Sequence, residues 1–293
     1  MRRSGPAYVA LFALATIWGY NWVVIKLATH DADAFSLSAI RTSVAVVCLF
    51  GALAATRRSL RPTPFVPTLI LGLLQTTIFM LLSVGATATG GAGKTAILVY
   101  TMPFWIVLMA WPLLHERVSR SAWIALALAA AGLALVLAPL DLAAGLTSKA
   151  LAVGSAIVWA ASAVYGKLLR AKHTVDLLAL VAWQMLYGTV PLLAALAFVH
   201  GHVNPTPGFL LAVAYIAIPG TALAWLLWMF ILSRLPAGVA GVASLLTPVI
   251  GVLSAWLQLG ERPGALELVG IACIVAALLV NVLPGLLDAL NRS

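Results

Sequence analysis

The sequence predicts an all-α membrane protein, ten transmembrane helices arranged as two inverted five-helix repeats around a central cavity. Three observations carry that prediction. Of the 293 residues, 63% are hydrophobic and only 9% are charged, against roughly 25% charged in soluble domains, and the mean hydropathy is +1.09. So few ionised groups cannot cover a water-facing surface, and most side chains must face lipid or one another. The apolar residues also fall in runs of about 20, the length a helix needs to cross the hydrocarbon, without the apolar/polar alternation of an outer-membrane barrel. Finally, two sets of landmarks recur in the second half of the chain at nearly one offset.

The spans are bounded by charges and by Gly/Pro clusters. Tyr8 to Ala28 follows Arg2-Arg3 and is read as an uncleaved first helix, because the run is too long for a secretory signal and no small-residue cleavage site follows Trp22. Leu37 to Thr56 stops at Arg57-Arg58, and Val66 to Ala88 runs from Pro64 to the glycines at 90 and 91. Thr95 to Leu114 ends before Glu116-Arg117, and Ala122 to Leu140 ends at Asp141. Ala150 to Leu169 lies between Lys149 and Arg170, and Leu177 to Val199 between Asp176 and His200. Gly208 to Ser233 ends at Arg234, Gly238 to Leu259 before Glu261-Arg262, and Ala265 to Leu283 before Pro284.

The 17 Lys and Arg outnumber the 8 Asp and Glu for a net charge of +9. In a soluble protein that excess raises the question of nucleic acid; here the charges lie between apolar runs and report topology, so no nucleic-acid partner is expected. With alternating helices and a cytoplasmic N-terminus, twelve basic residues fall inside (Arg2, Arg3, Arg57, Arg58, Arg61, Arg117, Arg120, Lys167, Arg170, Lys172, Arg234, Arg292). Five fall outside: Lys26, Arg41, Lys94, Lys149 and Arg262. The bias places both termini in the cytoplasm. Every loop is short, so any function resides within the bilayer.

The internal repeat is the most informative feature. Trp18 is followed eight residues on by Lys26-Leu27, and Trp159 eight residues on by Lys167-Leu168, an offset of 141. Pro103 is followed thirteen residues on by Glu116-Arg117, and Pro248 thirteen on by Glu261-Arg262, an offset of 145. These spacings divide the chain into residues 1–145 and 146–293. Five helices per repeat is an odd number, so the second repeat enters the membrane from the opposite side. Halves related in that way can exchange conformations and open a shared cavity to either face, the geometry of alternating access.

The Trp18-Gly19-Tyr20-Asn21 motif, its echo at Trp159, and the Pro-then-Glu-Arg pattern in both halves resemble the EamA-type branch of the drug/metabolite transporter superfamily. The tryptophan load and Tyr100-Thr101-Met102-Pro103-Phe104-Trp105 are most similar to bacterial inner-membrane exporters of aromatic and other neutral amino acids. The resemblance implies ten helices in a basket around a central cavity, an inner-membrane location and a small-molecule substrate, with the lipid bilayer as surroundings.

Three signals locate a candidate site. Pro103 and Pro248 interrupt equivalent helices at equivalent depths, pointing to a midplane site, although a proline also makes a plain packing kink; Pro191 and Pro219 have no counterpart and are read as kinks. Polar groups within the spans are Asn21, Gln75, Thr76, Ser162, Gln184, Thr221, Ser244 and Thr247, with Thr76 and Thr221 at the offset of 145. A hydroxyl among these can equally bond its own helix, whereas the amides of Asn21 and Gln75 are not fully satisfied so locally. Aromatic residues near them are Trp18, Trp22, Phe79, Tyr100, Trp159 and Trp225, which suit an apolar cavity or an interfacial belt. Trp111, Trp123 and Trp256 lie near helix ends and are assigned to the belts.

None of the acidic residues lies mid-span, which disfavours a cation pump or proton relay and suits a neutral, aromatic-lined cavity for a zwitterion. Glu116-Arg117 and Glu261-Arg262 either gate the bundle or are solvated interface charges, and Lys26 and Lys167 are expected to snorkel. Cys48 and Cys273 lie in apolar runs without metal-ligand spacing, and no Walker loop, histidine cluster or nucleophile elbow is present. No metal, cofactor or enzymatic activity is therefore expected. The functional expectation is secondary export of neutral and aromatic amino acids, methionine among them; the alternatives are export of hydrophobic drugs or other metabolites, and an intramembrane enzyme or assembly protein.

Overall fold

The computed structural model describes residues 5–90, 98–115, 120–137, 146–196, 198, 201–259 and 264–290, and every described span is helical. The Glu116-Arg117 and Glu261-Arg262 landmarks lie outside these residues, as do the side chains of Trp22 and Lys26. Helix α1 covers Gly5–Ala28 and α2 covers Ala34–Ala55. Asp33 starts α2 by accepting the Phe35 and Ser36 N–H groups at 3.0 and 2.9 Å, satisfying two donors that have no partner inside the helix. The third span is α3 (Phe65–Gly72), a π turn (π1, Leu73–Ile78) and α4 (Phe79–Gly90). Then come α5 (Met102–Leu114), α6 (Arg120–Leu137), α7 (Leu146–Lys172) and α8 (Leu177–Leu196). A second interrupted span follows as α9 (Pro207–Ala217), π2 (Ile218–Leu223) and α10 (Ala224–Arg234). The chain ends with α11 (Ala237–Ala243), α12 (Leu246–Leu259) and α13 (Ala265–Leu290).

Among the described residues, seven helical stretches are long and apolar enough to cross a membrane, and three shorter apolar helices accompany them: Met102–Leu114, Arg120–Leu135 and Leu268–Ala277. The outward surface is apolar. Leu211 is 75% exposed and Leu257 84%, which is tolerable in lipid and costly in water. Trp111, Trp123 and Trp256 lie on that surface.

Helix α6 packs on α13, α4 and α5 both pack on α7, and α1 packs on α12 and α10. Small residues permit these approaches. A Cβ on Gly19 would lie 2.7 Å from Ile250, and one on Gly132 would lie 2.7 Å from the Gly270 carbonyl oxygen. The tightest crossing joins α3 to α8, where a Cβ on Gly72 would collide with the Gln184 carbonyl and one on Gly188 with the Gly72 carbonyl.

Two kinds of interruption mark the interior. The spans carrying Pro103 and Pro248 each break shortly before the proline, at Tyr100–Thr101 and Ser244–Leu245, because proline has no N–H for the carbonyl four residues back and fits a helix best in its first turn, where both prolines sit. The π turns begin at Leu73 and Ile218, again 145 residues apart. In π2 the cause is Pro219, which has no N–H to offer the Tyr215 carbonyl. In π1 there is no proline; instead the Thr77 hydroxyl donates to the Gly188 carbonyl at 2.7 Å and the Thr76 hydroxyl to Gln184 Oε1 at 3.3 Å, holding the widened turn against α8. Pro219 is thus more than an isolated kink, since its π turn has a counterpart although the proline itself does not.

Candidate functional site: a tryptophan-floored cavity

One face of α1, Trp18, Asn21 and Ile25, continued by Thr29 just past its end, lines a cavity; those spacings of three and four bring residues onto a single helical face. The remaining wall comes from Leu37, Ser38 and Arg41 of α2, Phe79, Met80 and Ser83 of α4, Val99 and Tyr100 before α5, Trp159 of α7 and Trp225 of α10. The space is about 870 Å³ with its open mouth and the solvent in it included. Its lining reaches the turn that joins α1 to α2, where Thr29 is exposed to the surroundings.

Aromatic rings close its inner end. Trp18 lies edge-on to Trp159 and Trp225, at centroid separations of 5.3 and 5.4 Å. Phe79 sits 5.3 Å from Trp159 and Tyr100 sits 6.0 Å from it, while Trp228 packs behind at 5.8 Å. These centroid separations lie in the favourable range for aromatic pairs. Beyond the rings the bundle is solid: Met185, Leu180 and Met229 are fully buried, and a Cβ on Gly166 would lie 3.1 Å from Met229 Cε. Farther along, Lys167 Nζ donates to the Leu235 carbonyl at 3.0 Å, so its ammonium ties α7 to the α10–α11 corner. Arg58 pairs with Asp176 at the same end.

Turn π2 organises the polar part of the wall. The Trp18 indole N–H donates to the Gly220 carbonyl at 3.1 Å. The Thr221 hydroxyl donates to the Ile216 carbonyl at 2.7 Å and accepts from Arg41 Nε at 3.0 Å. Asn21 packs so closely on Gly220 that a Cβ there would be 2.5 Å from Asn21 Oδ1, and that oxygen is buried without a hydrogen-bond partner. Glycine at 220 is what lets α1 come this close.

The residues singled out from the sequence separate into groups. Trp18, Asn21, Phe79, Tyr100, Trp159 and Trp225 line the cavity, and Thr221 supports it through Arg41. Gln75, Thr76 and Gln184 form a second buried polar patch between π1 and α8, with both amide atoms of Gln75 and Nε2 of Gln184 lacking partners. Ser162 and Ser244 bond their own helices, at the Trp159 and Gly241 carbonyls. Thr247 is buried with its hydroxyl unpaired, and Pro103 and Pro248 lie at the helix breaks and not in the cavity wall. The Trp22 side chain lies outside the described residues.

An EamA-like transporter family model matches residues 5–138 and again residues 147–283. The chain belongs to the EamA-like transporter family. The double match makes it a duplicated EamA protein, and the paired π turns fall one in each EamA segment. Curated relatives agree over nearly their full lengths. The "Uncharacterized transporter YoaV" of Bacillus subtilis is 26% identical over 93% of this chain and 95% of its own. The "Probable amino-acid metabolite efflux pump" of Salmonella typhimurium is 27% identical over 96% and 95%, and the "Probable terminal-alkyne amino-acid exporter" of Streptantibioticus cattleyicolor is 26% identical over 95% and 94%. A crystal structure of a protein superposes with a TM-score of 0.84 over 96% of this chain and 98% of the other, at 18% identity, which shows a shared fold.

Sequence reasoning missed Arg41. Counted among the external interface charges, it lies instead in the cavity wall, within the apolar stretch Phe35–Ala55. The cavity is therefore aromatic but not neutral. The signal was available: a single cation inside 21 residues of mean hydropathy 1.9.

Proposed function

We propose that this multi-pass membrane protein is a secondary carrier exporting neutral, especially aromatic, amino acids across the inner membrane by alternating access. The observation that carries the reading is the cavity itself, open at one end and closed at the other by Trp18, Trp159 and Trp225, where helices from both EamA segments meet. In this reading the seven long and three shorter apolar helices form ten spans, in inverted repeats of residues 1–145 and 146–293, with both termini cytoplasmic. Contacts between connecting segments support the inversion. Asp33 N–H donates to the His202 carbonyl and Asn204 N–H to the Asp31 carbonyl, so the α1–α2 and α8–α9 connections share one face. Arg58, after α2, meets Asp176, after α7, at the other face. Consequently α1 runs toward the first face and α7 away from it.

The names of the Salmonella typhimurium and Streptantibioticus cattleyicolor relatives support amino-acid export, and the aromatic floor supports apolar side chains. Gln75, Thr76, Gln184, Ser162, Ser244, Thr247, Trp22 and the two prolines are proposed to serve the cavity when it opens to the other face. The test is flux in liposomes that contain the full chain alone. Saturable uptake of labelled phenylalanine, tryptophan or methionine with countertransport is the expected result. Saturable flux confined to hydrophobic drugs would replace the substrate class, and no flux of any kind would end the carrier reading.

A further inference from the structure

The Arg41 guanidinium is an unusual group for this wall. It is the one ionisable cation among the residues lining the cavity, and Thr221 Oγ is its hydrogen-bond partner through Nε. No carboxylate among the described residues lies within ion-pair distance of it, for the described ion pair joins Arg58 to Asp176 at the far end. A guanidinium has five N–H donors in a planar fork, and the bond to Thr221 uses Nε, leaving both Nη groups without a hydrogen bond to the described residues. A cation at membrane depth with no acidic partner is costly to keep and marks a place where an anion docks.

We propose that Arg41 anchors the carboxylate of the transported molecule. The proposal rests on the carrier reading in taking this cavity as the substrate site. The free Nη edge matches the two oxygens of a carboxylate, and the bond to Thr221 fixes the plane of the fork. Arg41 and the Trp18 indole are held by adjacent residues of π2, Thr221 and Gly220. A carboxylate on Arg41 thus leaves its apolar body against Trp18, Trp159 and Phe79. The same charge repels amines that lack a carboxylate, so the cavity selects acids and zwitterions over cationic hydrophobic compounds.

The test uses the purified full chain and the quenching of its tryptophan emission by three ligands: phenylalanine, phenylalaninamide and phenylacetate. Wild type is expected to bind the two carboxylates at least about tenfold more tightly than the amide, the scale of a charge-assisted hydrogen bond. Arg41→Gln removes that preference, and Arg41→Lys restores part of it. Equal affinity of wild type for phenylalanine and its amide would overturn the anchor and leave amino-acid export standing, as would an equal loss for all three ligands in Arg41→Gln. Arg41-dependent binding of phenylacetate without binding of phenylalanine would keep the anchor and overturn the amino-acid reading. Binding of none would overturn both. Where neither variant folds, the wild-type ratio of acid to amide decides alone.

Discussion

Replacing Gly188 by alanine tests the crossing that supports π1. The added Cβ would fall on the Gly72 carbonyl oxygen and 2.5 Å from Thr76 Cβ. Neither is the tip of a flexible side chain, so α8 must retreat from α3 and π1. That retreat loosens the Thr77 bond to the Gly188 carbonyl and the Thr76 bond to Gln184. Overpacking of this kind costs about 1–3 kcal/mol, and interhelical bonds in membranes average about 0.6 kcal/mol each. Together they give a loss of about 2–4 kcal/mol, or roughly 3–7 °C in melting temperature for a chain of this length. Thermal unfolding in detergent, followed by tryptophan emission, measures it. Gly154→Ala is the control, because its Cβ meets Leu82 Cδ1 at an ordinary 3.6 Å; it should melt within about 2 °C of wild type or above it. If the two variants melt together, the close approach is not what holds these helices.

Three further outcomes are expected. Thr221→Val leaves Arg41 Nε and the Ile216 carbonyl without their shared hydroxyl and should weaken phenylacetate binding roughly three- to tenfold, with Thr221→Ser close to wild type in the same quenching assay. In a chain stripped of Cys48 and Cys273, Ser38→Cys at the cavity wall should react with an impermeant maleimide from the face of the α1–α2 turn, while Ser162→Cys, buried against the Trp159 carbonyl, should not; equal labelling would contradict the one-sided opening. Burial opposes ionisation of Asp33, yet hydrogen bonds from the Ser36 side chain and from the Ser36, His202 and Phe35 N–H groups outweigh it and hold its pKa below the ordinary carboxylate value. A depressed pKa contributes stability that is present above about pH 4 and lost as the pH falls through the folded value. Hydrogen exchange at His202 should therefore accelerate on acidification below about pH 4, and Asp33→Asn should remove that acid-dependent step.

Seven long spans and the paired proline breaks were legible because length and proline act locally: about 20 apolar residues suffice for a crossing, and Pro103 and Pro248 each follow a break in their helix. Trp18, Trp159 and Trp225 were legible as mid-span aromatics, but only packing could separate them from interfacial rings. Arg41 was hidden by the convention that a cation near the end of an apolar run belongs to the interface; its depth depends on where Asp33 starts α2. The π turns were invisible for another reason. A bond from residue i to i+5 leaves no side-chain periodicity, and in π1 the cause lies on α8, at Gln184 and Gly188, far away in sequence. Thr76 and Thr221 were matched by offset, yet nothing in the chain's order showed that one faces α8 and the other holds an arginine.

The π turns also give span length some slack. Each holds one residue more than the α-helical turn it replaces, so deleting one of residues 73–78 would let the ladder close as an ordinary α turn and leave Phe79, Met80 and Ser83 on the wall. The α-helices on either side have no such slack: a deletion within α3 turns it by about 100° against those three residues. Single-residue deletions at 73–78 or 218–223 are thus expected to cost less than the same deletion in α3 or α9.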